Sequence, residues 1–78
     1  MDAEIERVRE NVVQQLQPML TVMQRKGYNV RDLNQIEREA KRRVAEASHG
    51  NLVVTRTDLQ TAPVYRLRLV LERIGGEP

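Results

Sequence analysis

Tyr65-Arg66-Leu67-Arg68-Leu69-Val70-Leu71-Glu72-Arg73 is the stretch whose reading decides the architecture. Tyr65, Leu67, Leu69 and Leu71 alternate with Arg66, Arg68, Val70 and Glu72, a period of two that puts an apolar and a charged row on opposite faces of a strand. A partner strand stands upstream, where Leu52, Val53, Val54, Thr55 and Thr57 are strand formers. The turn signals between them lie in Asp58 to Pro63. This reading predicts a β-hairpin pairing 51–57 with 64–73. The competing reading is a third helix from Pro63, with Val64, Leu67, Val70, Leu71 and Ile74 on one face and Gly75 as its stop, an all-α three-helix protein. It leaves Leu69 and Tyr65 on the wet side and the 52–57 segment without a partner, so the hairpin is preferred.

Upstream of the hairpin the apolar period changes to three and four. Leu33, Ile36, Ala40, Val44 and Ala47 form one stripe, predicting an amphipathic helix over 30–48. Asn29 is its expected N-cap, with Asp32 in the first turn, a Tyr28–Leu33 staple at its start and Gly50 as the left-handed residue that ends it. Before it, Ile5, Val8, Val12, Leu16, Met19, Leu20 and Met23 keep helical spacing from the N-cap Asp2 to Arg25-Lys26, and Gly27 closes a helix over 2–26. Pro18 removes one hydrogen bond and crowds the carbonyl of Gln14. The stripe stays in phase across it, which favours one kinked helix over two. The expected fold class is therefore α+β: two amphipathic helices, the first kinked or split at Pro18, then a hairpin, as a single domain over 1–74 with a loose tail at 75–78.

A chain of 78 residues without cysteine, Phe or Trp must build its core from aliphatic side chains, with no disulfide to staple it. Small aliphatic cores of this kind usually need oligomerisation, and an isolated two-stranded hairpin is marginal, so a homodimer is expected on both grounds. Two hairpins joined into a four-stranded sheet also protect strand edges. The formal net charge is +2, too mild by itself to establish a polyanion partner. No apolar run reaches membrane-spanning length and no signal peptide opens the chain, so no membrane association and a cytoplasmic location are expected.

Catalytic inventory is thin. Ser48-His49 are sequence neighbours, which rarely meet in the geometry a nucleophile and base require, and they read as polar residues closing a helix. With a single histidine and no phosphate-cradling glycine loop or Asp-rich loop, no metal, cofactor, small-molecule substrate or enzymatic activity is expected.

The charged side of the second helix carries more. Arg31, Gln35, Arg38 and Arg42 form a ridge opposite the apolar stripe. With Gly27 as turn glycine and Val22, Tyr28, Leu33 and Ile36 as locking apolar positions, Val22 to Lys41 resembles a helix-turn-helix unit. It departs from that pattern at Met23, where a small residue is usual, and at Lys26, where an apolar one is. The resemblance implies that Arg31, Asn34, Gln35 and Arg38 face a major groove, that Lys41, Arg42 and Arg43 meet phosphates, and that the hairpin is like a winged-helix wing with Arg56, Arg66 or Arg68 on the backbone. The leading expectation is a small DNA-binding transcription regulator. The alternative is a homodimeric adaptor or structural module that binds protein through the apolar surface of helix 1 or a sheet edge.

Overall fold

The computed structural model describes residues 2–29, 33–60 and 65–74. In chain order it contains α1 (Ala3–Arg25), α2 (Asn34–Ala47), β1 (Leu52–Gln60) and β2 (Arg66–Arg73), the α+β arrangement the periodicities predict. The third-helix alternative fails at residues 66–73, which form a strand.

β1 and β2 make a two-stranded antiparallel sheet. The register runs from Leu52 opposite Arg73 to Gln60 opposite Arg66, with an irregularity at Val54/Arg56 that leaves Thr55 as the extra residue of a bulge. β1 thus continues to Gln60, past the predicted end at 57, because Leu59 lies opposite Leu67 and joins the edge of the core. The expected tail at 75–78 lies outside the described residues.

α1 is one helix with Pro18 inside it, not two. Leu16 and Leu20 flank Pro18 and are fully buried, whereas Pro18 is exposed. Each buried leucine contributes roughly 1.5–3 kcal/mol, enough to carry the helix across one missing hydrogen bond. Asp2 caps α1 as expected, its Oδ1 accepting from the Glu4 N–H at 3.0 Å.

The start of α2 corrects the sequence reading. The helix begins at Asn34 with Leu33, not Asn29, as its N-cap, and Leu33 supplies no side-chain capping bond. Leu33 is buried in the core. Burying a leucine stabilises more than the roughly 1 kcal/mol a polar cap contributes, so core packing sets where this helix starts. Arg31 and Asp32 lie outside the described residues, and Tyr28 stays 49% exposed.

Both helices close with the same pair of backbone bonds. At α1 the Tyr28 N–H reaches the Met23 carbonyl and the Gly27 N–H that of Gln24, with Gly27 left-handed at φ 86°. At α2 the Gly50 N–H reaches Ala45 and the His49 N–H reaches Glu46. These are Schellman closures, but in the second the left-handed position belongs to His49, φ 55°, and Gly50 follows it at φ 80°. Ser48 then links α2 to the sheet. Its fully buried hydroxyl donates to the Val44 carbonyl at 2.7 Å and accepts from the Leu52 N–H at 3.1 Å.

The helices cover one face of the sheet, α1 over β2 and α2 over β1, and pack on each other. Val8, Val12, Leu16 and Leu20 of α1, Ile36, Ala40 and Val44 of α2 and Leu67, Leu69 and Leu71 of β2 form one cluster with Leu33 and Leu52. The other sheet face, with Arg66, Arg68, Val70 and Glu72, is exposed.

Candidate interaction surfaces

On α2, Asn34, Gln35 and Arg38 are exposed, and Arg38 has no carboxylate partner among the described residues. The second half of the ridge is different. Arg42 is held by both Glu39 and Glu46. Arg43 donates to Glu39 at 3.1 Å and also to the Gln15 amide oxygen of α1, and Lys41 lies 3.8 Å from Glu37. The hydrogen bond from Arg42 draws the Glu39 carboxyl below its usual range against desolvation, and the same contact raises Arg42. Three of the expected phosphate contacts, Lys41, Arg42 and Arg43, therefore already face acids three or four residues away on their own helix.

Arg66 and Arg68 are exposed, on the outer face of the sheet. Arg56 is mostly exposed and pairs with Asp58 at 3.1 Å. These side chains do not join the α2 ridge in one surface. The sheet turns its inner face to the helices and α2 turns Ile36, Ala40 and Val44 to the sheet, so the two cationic sets point to opposite sides of the molecule. The helix-turn-helix resemblance needs a tight turn of about three or four residues. Here residues 26–33 separate the helices.

The structure brings together a set of residues that sequence reading passed over. α1 runs along β2 in the opposite direction, and its side chains bond that strand's outer edge at its start and its last side chain at its end. The Gln17 amide donates to the Tyr65 carbonyl and its Oε1 accepts from the Leu67 N–H at 3.0 Å, imitating a neighbouring strand. The Gln24 Oε1 accepts from the Tyr65 N–H at 3.1 Å. At the far end Arg73 bonds both Asp2 and Glu4. The Arg73 hydrogen bond, outweighing desolvation and aided by the Glu4 N–H, holds the Asp2 carboxyl below its ordinary value. Leu67 and Leu69 are each only 3% exposed, backbone included. A signal was available: Val13, Gln17 and Gln24 stand four and seven apart on the flank of the apolar stripe, where a polar side chain meets whatever lies beside the core.

β1 has no such cover. Hydrogen bonds alternate along an antiparallel pair. Because Tyr65 and Leu67 spend their backbone groups on Gln17, the same-register residues of β1, Leu59 opposite Leu67 and Thr57 opposite Leu69, also turn theirs away from the sheet. No side chain among the described residues bonds them. Val54, Thr57 and Leu59 are half-buried rather than buried, and the Thr57 Oγ1 is buried without a hydrogen-bond partner.

An exposed apolar pair, Met19 and Val22 on α1, makes a further surface. Ser48 and His49 make no catalytic pair, since the Ser48 hydroxyl is spent on Val44 and Leu52. No group of acids, histidines or cysteines able to hold a metal is found among the described residues, and none of their helices is long and apolar enough to cross a membrane. Compared with protein-family models, with curated proteins and with solved structures, the chain shows no match.

Proposed function

We propose that this chain is a non-catalytic interaction module that works as a homodimer, using its sheet rather than its helices for assembly. The carrying observation is the contrast between a β2 edge closed by α1 and a β1 edge whose Thr57 and Leu59 backbone groups have no partner among the described residues. A two-stranded sheet has two edges, and the one that α1 leaves uncovered is where a further strand can be added. Sedimentation equilibrium over a wide concentration range tests the reading. A reversible monomer–dimer equilibrium is expected, and a monomer at every concentration rejects it.

A second reading, nucleic-acid binding, draws on Asn34, Gln35 and Arg38, side-chain types that read base edges, standing exposed on the first half of α2. Retention on heparin or duplex DNA that falls steeply with salt supports it. Arg38→Ala then weakens retention, whereas Arg42→Ala, which removes a cation already held by two acids, changes it little. Salt-independent passage of the wild-type chain rejects this reading.

A further inference from the structure

We infer that the second copy docks on β1, strand to strand and antiparallel, about a two-fold axis through Thr57, to give a four-stranded sheet in the order β2-β1-β1-β2. The inference rests on the homodimer reading above and adds where the two copies meet and in which register.

Three features of β1 select this register. First, Thr57 directs its backbone N–H and C=O outward, so two antiparallel copies centred there exchange both bonds as a hydrogen-bonded pair. Second, the charges on the outer face are self-complementary about Thr57. Arg56 and Asp58 flank it, so each guanidinium comes opposite the other copy's carboxylate, twice over. In the single chain that pair is joined within one strand at 3.1 Å and remains largely in water. Third, the Thr57 hydroxyl, buried without a partner, faces the inner side of the sheet. A residue paired with its own copy across a two-fold brings the two Cβ atoms to about 5.5 Å, near enough for the hydroxyls to bond after a χ1 adjustment. The Thr55 bulge confines regular pairing to the segment beyond it, so the contact is short. Contacts this small give weak association, roughly micromolar to millimolar.

β2 is the wrong edge for the same event. A strand added there must displace the Gln17 amide from Tyr65 and Leu67 and reach a backbone that α1 already covers.

Amide hydrogen exchange on the unaltered chain across a dilution series tests the placement without risk to folding. Protection of the Thr57 N–H is expected to rise with concentration while that of Leu69 stays constant. A charge-swap cycle tests the register. Arg56→Asp alone sets acids against acids, Asp58→Arg alone sets arginines against arginines, and each is expected to weaken self-association by about tenfold or more. The double variant restores it, with circular dichroism confirming the fold throughout. If the chain dimerises but ignores both single changes and leaves Thr57 exchange independent of concentration, the β1 placement is overturned and the homodimer reading survives. If it never self-associates, both are overturned.

Discussion

The two edges of this small sheet carry the same kinds of residue and meet opposite fates. β2, Arg66–Arg73, lies beside a helix of 23 residues that runs its whole length. The Gln17 and Gln24 amides take the Tyr65 backbone groups and the Leu67 N–H at its start, and Asp2 and Glu4 pin Arg73, its last residue. β1, Leu52–Gln60, is fastened at its start through Ser48, and further on its Thr57 and Leu59 backbone groups have no partner among the described residues. Edge strands are a standing hazard for association. This protein disarms one with side-chain amides that copy a neighbouring strand, and gives the other no such cover among the described residues.

The sharpest way to break that contrast is to truncate an inner leucine on each strand. Leu69→Ala, at a site 3% exposed, is expected to cost about 2–5 kcal/mol in urea unfolding. Leu59→Ala, at the half-buried rim of β1, is expected to cost about 1–2 kcal/mol. Equal losses would remove the distinction between a covered and an open strand.

Next in size is the fastening of β1. Ser48→Ala leaves the buried Leu52 N–H without its acceptor, an expected loss of about 1–3 kcal/mol in the same measurement. Gln17→Ala acts on the other strand. It strips acceptor and donor from Leu67 and Tyr65, in a partly solvated site, for about 1–2 kcal/mol. It also makes β2 as open as β1, so light scattering on concentrated samples should rise above that of the wild type. Unchanged scattering would show that α1 covers the edge by bulk alone.

Smaller still is the closure that leads into β1. His49 holds a left-handed conformation that glycine adopts without strain. His49→Gly is expected to stabilise by about 0.5–1 kcal/mol, whereas Gly27 already fills the matching position of α1. The least effect is electrostatic and confined to acid. The folded Asp2 carboxyl titrates below its ordinary 3.8, so the unfolded chain binds protons first as pH falls. Its pairing with Arg73 therefore helps fully above the ordinary carboxylate value and is lost as pH drops through the lower folded one. Asp2→Asn should flatten the acid limb of stability against pH and leave the neutral plateau nearly parallel to that of the wild type.

Most of the fold was legible before any coordinates. The stripe through Val8, Val12, Leu16 and Leu20 stayed in register across Pro18, and α1 is continuous there. Alternation from Tyr65 to Glu72 gave a strand whose leucines are inside and whose arginines are outside. The start of α2 was less legible: the polar capping signal at Asn29 lost to the burial of Leu33. The arginine ridge was legible as a row but not as a charge. Acids three and four positions away were visible, and only side-chain placement shows that Arg42 and Arg43 turn onto Glu39 while Arg38 does not.

By itself, then, the order of residues determined which side chains go inward, because helical and strand periods both describe direction perpendicular to an element's exposed face. It determined the α+β class for the same reason. Which strand edge is closed was decided only when α1 came to lie beside β2. Edges lie in the plane of the sheet, where alternation is silent, and a backbone N–H is identical at Leu59 and Leu67 until a glutamine far away in the chain reaches one of them and not the other.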